Sequence, residues 1–238
     1  EFDFLVGKML RMELTDTLVI VAGDCGIGFD TPEYYRRTYQ RIAKTLKKLN
    51  SSLLLIRGNH DDPEFFQREM IVFPRMRTLP DYSIIRFKDR TILCVGGAIS
   101  IDRLYRIDQM RILADSGRAP RKLYWENETP QFDEREMNAI KEAGLRIDTV
   151  VTHTAPSFCY PTTKRGIEMW MAYDPNLEKD IDEERATMDR LHNRLLSDGH
   201  PLTQWYYGHY HCTSSDRIDG VGFHLLDIGQ IREVPISR

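Results

Sequence analysis

Ser52-Leu53-Leu54-Leu55-Ile56-Arg57-Gly58-Asn59-His60-Asp61 is the stretch whose reading decides the fold. Its apolar run reads as a buried strand, and Gly58 ends it. Asn, His and Asp then arrive together where the strand stops. The same pattern recurs three times. Residues 17–23 are almost continuously apolar, predict a strand covered on both faces, and run into Asp24. Residues 147–152 form a strand that runs into His153, and Gln204–Tyr207 runs into Gly208-His209-Tyr210-His211. Helical patterns lie between these strands. Thr31 caps one of them, Pro32 suits its first turn, and Tyr35, Tyr39, Ile42, Leu46 and Leu49 make its apolar stripe. Alternating strands and helices predict an α/β domain.

The remaining segments fill in that frame. Phe2, Leu5, Met9 and Met12 lie at helical spacing, so the chain opens on a short amphipathic helix with no strand before it. Ser83–Phe87 and residues 91–95 read as a hairpin around Lys88-Asp89. Asp133 and Glu136 have capping-box spacing and predict a helix to about Ala143, stopped by Gly144. Leu177, Ile181, Met188, Leu191 and Leu195 mark a long helix whose acids Asp180, Asp182, Glu183 and Glu184 read as a solvated face. Residues 223–228 are a late strand. No repeat or low-complexity linker divides residues 1–238, so they read as one domain.

Composition narrows the classes of function. With 33 Lys+Arg against 36 Asp+Glu the net charge is -3. That argues against binding duplex nucleic acid through bulk charge. No apolar run is long enough to span a membrane, and no basic-then-apolar leader is visible. Cys25, Cys94, Cys159 and Cys212 are far apart and include no CxxC pair, which suits reduced thiols in a cytoplasmic protein.

Four strands thus each deliver a metal-competent group at the carboxyl end, the edge where ligands bind in open α/β sheets. An Asp, an Asn carbonyl and several imidazoles make a mixed oxygen and nitrogen environment without thiolate. That suits Mn²⁺, Fe or Zn²⁺ better than Ca²⁺ or an iron–sulfur cluster. A carboxylate such as Asp24 can bridge two cations, and two cations roughly 3.5–4 Å apart clamp the attacking and leaving oxygens of a phosphate ester. Glycines directly before Asp24, Asn59 and His209 allow tight turns and close backbone approach.

Gly23-Asp24, Gly58-Asn59-His60-Asp61, His153 and Gly208-His209-Tyr210-His211 together resemble the calcineurin-like metallophosphoesterases. The resemblance runs from Glu1 to about Gly229, and the ordered set is specific where no single member is. It implies a four-layer α/β/β/α sandwich of two mixed sheets with a dinuclear metal site between loops. It implies that Asp24 bridges both metals, that Asn59, His153 and His209 complete one, and that His211 serves the other. His60 would lie beside the phosphate and protonate the leaving group or stabilise its charge, with Asp61 orienting His60. The implied reaction is hydrolysis of a phosphate ester by water activated at two divalent cations. The implied substrate is a phosphorylated small molecule, a nucleotide or a phosphoprotein.

The family's first motif, Asp-x-His-Gly at the end of a first strand, would supply an Asp and a His to the metal that His211 serves. Glu1-Phe2-Asp3-Phe4-Leu5 looks like the segment that follows that motif, which is therefore expected to be encoded just before Glu1. A natural loss is the alternative, leaving that metal with Asp24 and His211 alone. The Ser/Thr protein phosphatase branch continues Gly-Asp with Val-Asp-Arg-Gly, whereas this chain has Cys25-Gly26-Ile27-Gly28-Phe29-Asp30. Arg57 is similar to that branch and reads equally well as a strand-end surface charge.

Outside the motifs, residues 101–122 hold six basic residues, Arg103, Arg106, Arg111, Arg118, Arg121 and Lys122, against Asp102, Asp108 and Asp115. This stretch reads as a solvated insertion over about 99–130, or as a lid whose Arg103 or Arg106 clamps the ester. Residues 160–173, with Trp170, read as packing or as a wall of the pocket. His192, His200 and His224 match no motif. A non-catalytic scaffold on the same fold and a nuclease of the same family are the rival functions.

Overall fold

The computed structural model describes residues 2–117 and 122–235. One sheet contains β1 (Leu18–Ala22), β2 (Ser52–Ile56), β3 (Val72–Phe73) and β4 (Met76–Thr78), in the spatial order β1-β2-β4-β3. β1, β2 and β4 are parallel, and β3 is antiparallel to β4. The other sheet contains β5 (Ser83–Phe87), β6 (Arg90–Val95), β7 (Thr149–Thr152), β8 (Gln204–Tyr207), β9 (Ser214–Ile218) and β10 (Val221–Leu225). Its order is β5-β6-β7-β8-β10-β9, with β6, β7, β8 and β10 parallel and an antiparallel strand at each edge.

Strand alternation divides the core into layers. Leu53 and Leu55 face α1 (Phe2–Arg11), α2 (Pro32–Leu49) and α3 (Pro63–Gln67), packing with Val6, Met9, Ile42, Leu46 and Phe66. Leu54 and Ile56 point the other way and meet Ile85, Ile92, Cys94, Val151 and Tyr206 of the second sheet. The outer face of that sheet packs on α5 (Glu134–Glu142) and α7 (Leu177–Ser197) through Val150, Trp205, Met137, Ile140, Leu191 and Leu195. The molecule is therefore the four-layer α/β/β/α sandwich of two mixed sheets that the resemblance implied.

The cap signals behave as their chemistry predicts. Thr31 accepts from the Tyr34 amide at 3.4 Å ahead of Pro32. Asp133 accepts from the Arg135 and Glu136 amides at 2.8 and 3.3 Å. The hairpin of β5 and β6 forms around Lys88-Asp89. Other expectations shift. Every residue of β1 is half-buried rather than buried, because β1 is an edge strand of its sheet. The late strand runs over Val221–Leu225, and polar β9 pairs with it. α4 (Arg103–Asp115) and α6 (Glu168–Tyr173) lie within the segments read as insertion and wall, and neither has a buried residue. Met12 falls beyond α1, whose buried face is Phe2, Val6 and Met9.

Glu184 corrects the reading of α7 as uniformly solvated on its acidic side. It follows Leu177 by seven residues, two helical turns, and so shares the inward stripe. Its carboxylate accepts from Thr154 Oγ1 at 2.7 Å and from the Ile99 amide.

Candidate metal centre

The carboxyl ends of β1, β2, β7 and β8 meet at one edge of the sandwich. β1 packs against β7 across the middle layer, which brings Asp24 to His153. Gly23 turns the chain there with φ of +94°, and Asp24 itself has a φ of +53°. A Cβ on Gly23 would come within 2.2 Å of His153 Nδ1, and one on Gly58 within 2.2 Å of Asp24 Oδ1. Only glycine lets these loops approach so closely. His209 and His211 also adopt positive φ, 71° and 48°, a sparsely populated state for non-glycine residues.

Asn59 links the donors. Its Oδ1 lies 3.1 Å from His153 Nε2 and 3.0 Å from His209 Nδ1. Asp24 Oδ1 lies 3.3 Å from the same His153 Nε2 and accepts the His60 backbone N–H at 3.0 Å. His153 Nδ1 is spent on the Ala22 carbonyl at 2.6 Å, which fixes the ring and aims Nε2 at Asn59 and Asp24. Asn59 and His153 are buried, at 4% and 2% exposure. No three His, Cys, Asp or Glu side chains among the described residues form a cation-holding group by themselves. The group closes through the Asn59 amide, giving two oxygens and two nitrogens, a donor set that fits a divalent cation.

The electrostatics agree with a cation-attracting nook. Burial pushes Asp24 upward, but His153, with His60 and His209, outweighs it and holds the carboxyl well below its usual range. Burial likewise opposes charge on His153, yet the Asp24 carboxylate raises its pKa overall. Burial, then His153, drives His209 down to about 3, so its ring is neutral and has a lone pair to give.

Asp61 is fully buried. Its carboxylate accepts from the amides of Gly58, Cys25 and Ile27 at 2.7, 3.0 and 2.8 Å. It thus ties the loop after β1 to the loop after β2, and its hydrogen bonds go to backbone rather than to the His60 ring. Burial nonetheless pushes it up to about 6. The His60 ring is met by Arg106, whose Nη2 and Nη1 lie 2.9 and 3.2 Å from Nε2 and Nδ1.

His60, Arg106, His209 and exposed His211 line one cavity of about 1050 Å³ with Asp24 and Asn59. Tyr160, Thr162, Arg165 and Trp170 form its far wall. Arg103 is turned elsewhere: Asp174 and Asp180 each bind it at 2.6 Å. Arg57 is buried, not a surface charge; it pairs with Asp81 at 2.8 Å and donates to the Glu128 carbonyl at 2.6 Å. Arg118 and Arg121 lie outside the described residues. His192, His200 and His224 sit away from the centre.

Sequence reasoning missed Ser100 and Glu128. The Asn59 Nδ2 donates to Ser100 Oγ at 3.0 Å, and the Ser100 hydroxyl and amide donate to Glu128 at 2.7 and 2.6 Å. Glu128 is 1% exposed, and burial pushes it up to about 8. β6 is parallel to β7, so the loop after Val95 leaves the sheet at the same edge as His153, a relation that only the fold reveals.

A sandwich of two mixed sheets with imidazole, amide and carboxylate donors gathered at its strand ends defines the metal-dependent phosphatase class of fold. The chain belongs to the calcineurin-like phosphoesterase family, whose model matches residues 4–213. No curated protein is significantly similar to it. Family membership supports metal-dependent hydrolysis of phosphate esters in general, and no helix among the described residues is long and apolar enough to cross a membrane.

Proposed function

We propose that this chain hydrolyses phosphate esters at a dinuclear metal centre. The observation that carries the reading is the placement of Asn59 Oδ1 3.1 and 3.0 Å from two imidazole nitrogens, with Asp24 beside them. Asp24, Asn59, His153 and His209 would hold one divalent cation, Mn²⁺, Fe or Zn²⁺ by their donor types. Asp24 and His211 would serve a second, a role that rests on the family pattern. Cations held there supply Lewis-acid chemistry, drawing charge from the phosphoryl oxygens and acidifying water.

The chain's own groups do the rest. Asp102 anchors Arg106 Nε at 2.8 Å, and the Nη groups, which lie against the His60 ring, would turn their remaining N–H bonds to phosphate oxygens in the cavity. His60 then lies beside the ester oxygen. Burial first, and Arg106 with it, lower the pKa of this ring against the opposing pull of Asp24. A phosphate dianion paired with Arg106 offsets that positive charge and favours the proton His60 passes to the leaving oxygen. Asp61 holds the two loops in register. The cavity has room for an organic leaving group, so a phosphorylated small molecule, nucleotide or phosphoprotein is the substrate class. Four cysteines without a disulfide suit a reducing cytoplasm.

A substrate panel with added Mn²⁺ tests this. Release of the aryl alcohol from aryl phosphate monoesters or diesters, abolished by chelation and by His209→Ala, is expected. Metal-loaded protein that hydrolyses neither monoester nor diester would overturn it.

A further inference from the structure

Asn59 has to present oxygen, not nitrogen, to a cation, and its amide can flip by half a turn to exchange them. What decides the flip is the partner of the other end. Here Nδ2 donates to Ser100 Oγ at 3.0 Å. A hydroxyl can donate as well as accept, so Ser100 alone would not choose. An ionised Glu128 removes the ambiguity, because it has no hydrogen to give back: its Oε2 accepts from the Ser100 hydroxyl at 2.7 Å while its Oε1 accepts from the Ser100 amide at 2.6 Å. With its one hydrogen committed, Ser100 Oγ can only accept, and only the NH₂ end of Asn59 satisfies it.

Glu128 is fixed in turn. Arg57, the residue before the Gly58-Asn59-His60-Asp61 run, donates Nη1 to the Glu128 carbonyl at 2.6 Å and Nη2 to the Thr129 carbonyl at 3.1 Å. Gly97 allows this approach, since a Cβ there would lie 2.5 Å from the Glu128 carbonyl oxygen. A loop some seventy residues downstream is thereby clamped to the loop that carries Asn59.

We infer that Ser100 and Glu128 are positioning residues that lock the Asn59 amide with its oxygen toward the metal site. The inference rests on the reading of Asn59 as a ligand. Partners of this kind raise metal affinity typically 10–100-fold without touching the metal.

The test is calorimetric titration of the intact chain with Mn²⁺ in deoxygenated buffer at pH 8.5, above the level to which burial raises Glu128. Ser100→Ala and Glu128→Gln are each expected to weaken Mn²⁺ binding about 10–100-fold. The double variant should be no weaker than the worse single one, because both act through one amide. Asn59→Asp supplies the discriminating background. A carboxylate presents an oxygen whichever way it turns, so Ser100→Ala should cost Asn59→Asp protein less than about threefold, against the 10–100-fold expected with the amide. Melting temperature of the metal-free variants separates folding from binding. Equal losses in the Asn59 and Asn59→Asp backgrounds would mean general damage and overturn the inference. So would unchanged Mn²⁺ affinity in both single variants while Asn59→Ala binds weakly. If Asn59→Ala binds as tightly as the parent, the ligand reading itself has failed and the inference falls with it.

Discussion

The guanidinium of Arg106 lies against the His60 ring, with Nη2 2.9 Å from Nε2, while Asp102 holds the far side of the same fork at 2.8 Å. Two groups from distant parts of the sequence, a loop after β2 and the first turn of α4, are thus brought to one point of the cavity. On the function proposed above, Arg106 would bind a phosphate oxygen while its charge lies against the His60 ring.

Removing that charge should therefore act twice. Arg106→Ala is expected to raise KM for a phosphate ester on the order of ten- to a hundredfold, the worth of one charge-assisted hydrogen-bonded contact. In the same variant the His60 pKa should rise, because a repelling positive charge is gone, although burial still holds it down. NMR titration of the metal-free protein reads the second effect independently of activity. A pKa that falls or stays put would contradict the arrangement.

His60 is expected to act on the leaving oxygen. His60→Ala should lower turnover roughly 10²–10⁴-fold for an alkyl phosphate and much less for a nitrophenyl phosphate, whose leaving group needs little protonation. Metal content should hardly change. Equal losses on good and poor leaving groups, or loss of the metals, would contradict the role.

How far these residues were legible in the sequence differs by kind. Strand-end motifs were legible because a buried parallel strand is a continuous apolar run and its end is marked by glycine, as at Leu55-Ile56-Arg57-Gly58. The long helices α2 and α7 were legible from periodicity, and the starts of α2 and the shorter α5 from Thr31 and Asp133 at their caps. β3 and β4 were not, because two or three residues show no period, and polar β9 shows none either. The burial of Arg57 and Glu184 was hidden because a charged residue reads as surface until its partner is known. Arg57 finds Asp81 twenty-four residues away, and the Ser100–Glu128 pair depends on a fold-level approach no local pattern encodes.

Asp61 carries a prediction of stability. Three backbone N–H groups end on its buried carboxylate. Asp61→Ala leaves all three without an acceptor, at about 1–3 kcal/mol each, so a loss of at least about 3 kcal/mol is expected in chemical unfolding. Asp61→Asn keeps one acceptor oxygen and should lose less. An alanine variant as stable as the parent would show that these amides find other partners.

Acid sensitivity should arise partly in the outer core. His192 is buried among Phe158, Trp205 and Phe223, and burial lowers its pKa. The unfolded chain therefore takes up its proton first, near pH 6.5, while the folded chain resists. Stability from this residue is complete above about pH 6.5 and declines as pH falls below it, by at most about 1.4 kcal/mol per unit. His192→Phe should flatten that part of the stability–pH curve. His200, lowered in the same direction by burial, should leave a residual slope. An unchanged curve in His192→Phe would refute the assignment.

The most direct measurement is an anomalous difference map from a crystal of this chain soaked in Zn²⁺ and recorded on both sides of the zinc absorption edge. The account predicts a peak about 2.0–2.2 Å from Asn59 Oδ1, His153 Nε2, His209 Nδ1 and an Asp24 carboxylate oxygen. A fully occupied peak elsewhere on the chain, with these four groups left at their mutual hydrogen-bonding distances, would contradict it.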